Sequence, residues 1–278
     1  MDSFANDIQV GGRTVKNVAG LDVTRLMVGS MGELGILHQA TLRTYSLPEE
    51  VARIDLELKS LDTLAQQITD WMISPVYPDS IALRRLGDAW HLEVSYFGRS
   101  KANDVQVNAL KNSLTQIPDI QIIDQRRSTL AEHFKHGQQS RAWQRKSKAL
   151  MRIIAPPRDL TTVINTLAEL GITQLSGMPA QGGLFAGGPL TLEIDEKILK
   201  VLNDCGGMRM WITPPPQTPE FSNAPTPIAS AFDKIGAPCI APFAPVQSDW
   251  SFMQKIRQTM DPQGLFNPGR FLNGEVAQ

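Results

Sequence analysis

Cysteine is nearly absent from this chain: among 278 residues only Cys205 and Cys239 are cysteines, and no C-x-x-C pair occurs. This excludes a zinc ribbon or an iron–sulfur cluster held by this chain alone, and it is typical of a reducing compartment. Long apolar runs are missing as well, since no run reaches the eighteen residues of a membrane-spanning helix, and residues 1–10 lack the basic and apolar regions of a signal peptide. We therefore expect a cytoplasmic protein.

An excess of charge of one sign is also lacking. The chain has 27 Lys and Arg against 28 Asp and Glu, a formal net charge of −1, so charge gives no reason to expect a nucleic-acid partner. No G-x-S-x-G or Walker sequence is present. The histidines are few and scattered, and His133 and His136, three apart on an expected helix, have no third histidine beside them to complete a metal site. We expect a polar surface there and no metal site.

The glycines between residues 16 and 36 give the most information about function. Gly29, Gly32 and Gly35 recur every third residue, which lets main-chain N–H groups approach a phosphate or a flat ring closely. The dinucleotide fingerprint differs, because it requires G-x-G-x-x-G between a strand and a helix. Here a short helix at residues 22–28 precedes the glycines and a strand is expected at 36–44. We therefore reject a Rossmann domain.

Two motifs carry a resemblance to a known family. The first runs through residues 16–36, and the second is D-P-Q-G-L-F-N-P-G-R at 261–270. They resemble the second half of the FAD-binding domain (PCMH type) and the closing motif of vanillyl-alcohol-oxidase-like flavoproteins, in particular the smaller FAD-binding subunits of glycolate oxidases. Within the group, Leu21 is unusual because an aromatic residue is common at that position.

The resemblance implies FAD as cofactor and a set of contacts to it. Lys16 would lie near the pyrimidine edge of the flavin, and the Asn267 amide would donate and accept at a ring edge. Asp22 has an alternative role as the N-cap of the short helix. The implied cofactor-binding residues are Lys16, Asn17, Gly20, Asp22, Gly29, Ser30, Gly32, Gly35, Ile36 and Asn267.

The family's FAD domain opens with a long subdomain that wraps the pyrophosphate, whereas only residues 1–14 precede the motif here. We expect either an N-terminally truncated chain or a missing half supplied from elsewhere. The predicted domains are a partial FAD-binding domain at 1–48, a cap domain at 49–245, and a helix and N-P-G turn at 246–278 that return to the FAD domain.

The cap region repeats itself. Residues 52–68 and 151–167 align without gaps, each as a strand, a polar residue and an amphipathic helix. Hairpins are expected at 81–96 and 174–186, followed by helices at 103–114 and 195–204. The fold class is therefore α+β, a remnant of the FAD-binding domain plus a cap of two ferredoxin-like halves with an antiparallel sheet.

Three further segments complete the chain. Residues 128–148 are polar and basic, and predict a solvated helix that links the two halves; a docking surface for an acidic partner or an anionic membrane is the alternative. Residues 213–227 contain six prolines and predict an extended linker. An amphipathic helix is expected from residue 248.

By resemblance, the chain is a FAD-binding subunit of a glycolate oxidase complex. Its partners would be a larger FAD-binding catalytic subunit and an iron–sulfur subunit, its substrate a small 2-hydroxyacid, and any place at the inner membrane would come through the complex. The H-x-G-D-G-x-x-H run of the large subunits is missing, so we name no catalytic base and expect the main chemistry on a partner. The alternatives are a non-catalytic interaction subunit and a stand-alone oxidase of another 2-hydroxyacid such as D-lactate.

Overall fold

A computed structural model describes residues 7–11, 22–86, 89–115, 117–213, 243–244 and 249–266. The chain divides into two compact units, one of Met1–Tyr45 with Glu220–Gln278 and one of Ser46–Pro219. Within the described ranges, no helix combines the length and the apolar character that crossing a membrane would need.

The elements alternate between helices and strands. The helices are α1 (Val23–Met27), α2 (Leu64–Ile73), α3 (Ser100–Leu114), α4 (Leu130–Ser140), α5 (Leu160–Glu169), α6 (Leu192–Cys205) and α7 (Trp250–Met260). The strands are β1 (Glu50–Leu58), β2 (Ser80–Leu86), β3 (Ala89–Gly98), β4 (Ile120–Ser128), β5 (Leu150–Ile154), β6 (Gln174–Met178), β7 (Gly183–Gly187), β8 (Met208–Thr213) and β9 (Phe243–Ala244). Two 3₁₀ helices span Ala142–Lys146 and Pro179–Gln181.

In the unit Ser46–Pro219 the strands lie in the order β4-β1-β3-β2-β6-β7-β5-β8. Each half has the connection strand, helix, hairpin, helix, strand, with its first strand between its third and its fourth. The halves meet where β2 pairs antiparallel with β6, at Leu83 opposite Gly177. The predicted fold class, an α+β chain with ferredoxin-like halves and an antiparallel sheet, is confirmed.

Apolar side chains on alternate positions of the strands face the helices. In β1 and β3, Ile54 lies opposite Val94 and Leu56 opposite Leu92, and all four are fully buried. The helices present their own apolar positions to this face; α2 buries Leu64, Ile68 and Trp71 at a spacing of three to four residues. The second half repeats the pattern with α5 and α6, so the unit has a core on one face of its sheet.

Helix ends follow local chemistry. The Thr191 hydroxyl accepts a hydrogen bond from the Ile194 N–H at 3.3 Å and begins α6, and Gly206 ends it with φ +69°. Thr129 and Glu132 form a reciprocal capping box at the start of α4. The predicted linking helix at 128–148 is thus confirmed as α4 and a 3₁₀ helix.

The prediction of a strand at residues 36–44 is wrong. These residues form no strand and are exposed to solvent. A strand requires a hydrogen-bonded neighbour, and no described strand pairs with this segment. The predicted linker at 213–227 lies outside the described residues beyond Thr213, and the expected helix after residue 248 is confirmed as α7.

Candidate functional site

The glycine-rich segment begins with α1, a single turn of helix started by Asp22. The Asp22 Oδ1 atom accepts a hydrogen bond from the Arg25 N–H at 3.0 Å, and the two side chains also form an exposed ion pair. The structural role that the sequence offered for Asp22 as an N-cap is therefore real. The cap therefore fixes where α1 begins, one turn of helix before the glycines.

In the first half of the loop after α1, at Gly29, side chains do not cover the main chain. Gly29 and Gly32 have φ values of +85° and +78°, and Met31 between them has φ +53°, a conformation that non-glycine residues seldom adopt. A Cβ built on Gly29 would meet no atom of the protein within 4 Å. The loop thus combines a conformation that favours glycine with open space beside the backbone, as the close approach of a flat ligand requires.

The second half of the loop anchors it. Glu33 and Leu34 are buried, and the Glu33 carboxylate lies 3.8 Å from the Arg257 guanidinium of α7. The Glu33 N–H donates to the Ser30 carbonyl at 3.0 Å. The loop is therefore held at its C-terminal end while Gly29 stays exposed.

The start of the second motif is an ordered turn. The buried Asp261 carboxylate accepts a hydrogen bond from the Phe266 N–H at 2.8 Å, and the Gly264 N–H donates to the Asp261 carbonyl at 3.1 Å. Gly264 has φ +63°. This explains the D-P-x-x spacing physically, because the aspartate closes the turn that leads to Asn267.

The predicted cofactor residues divide into two groups. Asp22, Gly29, Ser30, Gly32, Gly35 and Ile36 lie together on α1 and the following loop, with Gly35 buried and Ile36 exposed. Lys16, Asn17, Gly20 and Asn267 lie outside the described residues. The structure therefore describes the predicted cofactor residues of α1 and the glycine loop, and the other four cannot be placed against them.

A second concentration of functional groups lies on the other unit, on the face of β1, β2 and β3 opposite the core. Arg53 Nε donates to Asp55 Oδ2 at 3.1 Å, and Arg84 Nη2 lies 3.6 Å from Glu93 Oε2. His136 Nε2 of α4 lies 3.2 Å from the same Glu93 oxygen. We call these residues, together with His133, the charged cluster.

The charged cluster is largely excluded from solvent. The side chains of Arg53, Asp55 and Glu93 are 8 %, 12 % and 9 % exposed. Burial raises the pKa of Asp55, and this outweighs the lowering effect of the neighbouring Arg53 guanidinium. Burial also lowers the pKa of His133, against the opposing attraction of Glu93, so His133 is neutral at neutral pH.

The histidine pair faces a buried acidic side chain, Glu93. His133 Nδ1 lies 3.9 Å from Glu93 Oε1, and the two ring nitrogens that face Glu93 form no hydrogen bond. The expectation of a plain polar surface was wrong here, because β3 places Glu93 beneath α4 although forty residues of chain separate them. Across the described ranges, no three His, Cys, Asp or Glu side chains converge in a way suited to a metal ion.

The charged cluster was not predicted from the sequence, although a signal was present. In β1 the charged residues Arg53, Asp55 and Glu57 alternate with apolar ones, which indicates a strand with one polar face. What the alternation does not show is that another element covers this face. The structure supplies that element, α4.

Comparison with known proteins gives a consistent result. The chain is 24% identical to glycolate oxidase subunit GlcE of Escherichia coli (strain K12) over 265 aligned residues. The alignment covers 95% of this chain and 61% of that relative. Over 74 residues the chain is 35% identical to glycolate oxidase subunit GlcD of Bacillus subtilis (strain 168), 27% of this chain and 16% of that protein. The resemblance to glycolate oxidase subunits expected from the two motifs is confirmed.

The structural comparison agrees in fold. Alkyldihydroxyacetonephosphate synthase matches with a TM-score of 0.51 at 12% identity, over 91% of this chain and 50% of that structure. Likeness at this identity shows the fold alone. No family model matches the chain. The chain spans about three fifths of the length of the curated GlcE relative.

Proposed function

We propose that this chain is a FAD-binding subunit of a glycolate oxidase complex that oxidises glycolate to glyoxylate. The observation that carries the proposal is the similarity to subunit GlcE along 95% of the chain. The exposed loop at Gly29 supports it, because its geometry suits the close approach of a planar cofactor.

The glycine loop would hold FAD mainly through its main chain. Gly29, Ser30, Gly32 and Gly35 would bring peptide groups against the cofactor, with Ile36 beside them, while Asp22 holds the helix that leads into the loop. Lys16, Asn17 and Gly20 would extend the site upstream, and Asn267 would add an amide from the second motif. Bound FAD would supply two-electron oxidation of a 2-hydroxyacid.

We assign the main chemistry to a partner. The chain offers no H-x-G-D-G-x-x-H run, and the charged cluster lies beneath α4. A larger FAD-binding subunit would bind glycolate and supply the catalytic base, and an iron–sulfur subunit would carry the electrons onward. Contact with the inner membrane would come only through these partners.

The flavin content of the purified chain tests the proposal. We expect a yellow protein whose flavin absorbance corresponds to about one flavin per chain. Replacing Gly29 with Val should abolish flavin retention, because the side chain would occupy the open space beside the loop. Gly171→Val is a matched control: Gly171 has φ +79° and likewise no atom within 4 Å of a built Cβ, so it carries the same backbone strain.

Loss of flavin in both variants, or in neither, would contradict the role of the loop. Circular dichroism should show native secondary structure in both variants, which separates loss of binding from loss of folding.

A second candidate is a non-catalytic interaction subunit without FAD. The observation in its favour is the exposed apolar row in the segment after the loop, where Leu37, Leu42 and Tyr45 are 69%, 81% and 79% exposed. Such surface favours burial against another chain. A colourless, soluble chain that co-purifies with a larger flavoprotein would support this candidate, whereas reduction of a dye by the isolated chain with a 2-hydroxyacid such as D-lactate would indicate a stand-alone oxidase.

A further inference from the structure

One stretch of the chain concentrates positive charge. Residues 133–158 contain seven Lys and Arg and no Asp or Glu. The whole chain has a formal net charge of −1. The residues outside this stretch therefore carry a formal net charge of −8. Arg141, Arg145, Lys146 and Lys148, on and beside the 3₁₀ helix Ala142–Lys146, form what we call the basic strip.

The cations of the basic strip lack acidic partners. Among the described residues, no carboxylate lies within 4.0 Å of any of the four, and all four are exposed. Elsewhere in this unit the arginines of β1, β4 and β8 are neutralised, Arg53 by Asp55, Arg127 by Glu50 and Arg209 by Asp195. Close, unneutralised cations repel one another, so this surface favours an anionic partner.

A groove of about 470 Å³ lies along the strip. Its walls are Trp143, Lys146, Ser147, Lys148, Gln174, Gly188 and Pro189. Two ammonium groups, a hydroxyl, an amide and an indole ring therefore line one concave surface. The ammonium, hydroxyl and amide groups can bind carboxylates, and the indole ring can contact the apolar stems that carry those carboxylates.

The groove is formed in advance by its contacts with the sheet. Trp143 and Ser147 pack on Gly187 of β7, where an added Cβ would lie 2.6 Å from Trp143 Cζ3 and 2.7 Å from Ser147 Oγ. Ser147 Oγ lies 3.1 Å from Gln174 Oε1, and the neighbouring Gln144 donates to Ser176 Oγ at 3.0 Å. A rigid, charged groove binds without a large ordering cost.

We propose that the basic strip and its groove bind an acidic segment of a partner polypeptide. The 3₁₀ helix between Arg141 and Lys146 is about 10 Å long, farther than a single carboxylate reaches, so a chain with several acidic side chains matches the strip better than a small anion does. Trp143 is half-buried in the groove wall and is not available to insert into a bilayer. The proposal is independent of flavin binding and of catalytic activity.

Binding of a labelled peptide to the purified full chain tests the proposal. The probe is a fluorescein-labelled peptide of about twelve alternating Glu and Ser residues, followed by anisotropy at two salt concentrations. We expect saturable binding that weakens with salt. The double variant Lys146→Gln with Lys148→Gln should weaken it about fivefold or more, in keeping with the loss of two exposed ion pairs.

Two controls separate the site from general attraction. Lys101→Gln with Lys200→Gln removes the same charge from exposed positions outside the strip and should change the affinity less than twofold. Gly187→Ala leaves every charge in place but displaces Trp143 and Ser147, and should weaken binding as well. Circular dichroism and the unfolding midpoint verify that each variant is folded.

Several results would overturn the proposal. They are no saturable binding, an equal loss in the two lysine pairs, or no effect of Gly187→Ala in a folded protein. Because Phe134 of α4 is also exposed, phosphatidylserine vesicles serve as a separate probe, and a single-stranded oligonucleotide as another. Tighter binding of either than of the acidic peptide would assign the strip to a lipid or a nucleic acid instead.

Discussion

The buried ion pair between Arg209 of β8 and Asp195 of α6 shows how one residue pair joins two elements. Arg209 Nε and Nη2 donate to the two Asp195 oxygens at 2.7 and 2.6 Å, and the side chains are 4% and 7% exposed. A bidentate pair of this kind satisfies both charges within the core. Removing only one partner would leave a buried, uncompensated charge.

We predict that Arg209→Leu lowers the free energy of unfolding of the full chain by about 3–5 kcal/mol, because Asp195 would stay buried without its partner. Urea denaturation followed by circular dichroism measures the change.

The double variant Arg209→Leu with Asp195→Leu is the control, since it removes both charges together. It should recover most of the loss. A double variant as unstable as the single one would show that packing, rather than the uncompensated charge, accounts for the effect.

Individual residues differ in how far sequence alone revealed them. The N-cap role of Asp22 follows from local chemistry and was predicted. The charged cluster was not, because its members come from four elements, β1, β2, β3 and α4, that the fold brings together.

At the scale of elements, α4 is unusual in how it packs. None of its residues is fully buried, and it faces β1 and β3 with His133 and His136 rather than with an apolar stripe. The Phe97 ring meets the His133 ring edge-on at 5.3 Å, and Glu93 lies beneath both histidines. The attachment of α4 to the sheet therefore depends on which groups are charged.

We predict that the free energy of unfolding falls as the pH is lowered from 7.5 to 5.5, and that His133→Gln makes this fall smaller. Burial holds the pKa of folded His133 below its ordinary 6.5, so the unfolded chain takes up its proton first. The stabilisation is therefore present above the unfolded pKa and is lost as the pH falls toward the folded one. Urea denaturation at both pH values measures it.

Asp55 titrates in the opposite sense. Its pKa is raised by burial, so its contribution declines as the pH rises through the folded pKa. Because Asp55 is present in both proteins, the difference between wild type and His133→Gln isolates the histidine. An identical pH dependence in the two would contradict the assignment.

The repeated helices and hairpins were predictable because each has its own periodicity and end signals. The fourth strand of each half, β4 and β8, was not named from sequence. In β4 most positions are exposed, so it lacks the apolar alternation that marks a strand, and pairing with β1 forms it. Residues 36–44 show the converse, a predicted strand that does not form because no described strand lies beside it to pair with it.

At the scale of the whole molecule, the unit Ser46–Pro219 has what an independent domain requires. Its strands form one continuous sheet through the β2–β6 pairing, and both halves bury apolar side chains against the helices on one face. The other face holds the charged cluster and α4.

We predict that a fragment of residues 46–219 folds alone with a single cooperative thermal transition. Its midpoint should lie within about 4 °C of the corresponding transition in the full chain, equivalent to about 1 kcal/mol or less. Circular dichroism and calorimetry measure it. An insoluble fragment, or one that melts without cooperativity, would show that the unit depends on the rest of the chain.

The sequence by itself determined the repeated strand, helix, hairpin and helix of the two ferredoxin-like halves, the N-cap at Asp22 and the resemblance to glycolate oxidase subunits. These depend on periodicity, turn chemistry and motifs, all of which act over a few neighbouring residues. Only the tertiary structure decided that α4 covers the charged face of β1 and β3, that Glu93 meets the two histidines, and that Trp143 and two lysines line a groove on β7. Contacts of this kind join residues far apart in the chain, and their geometry comes from packing, which no local pattern encodes.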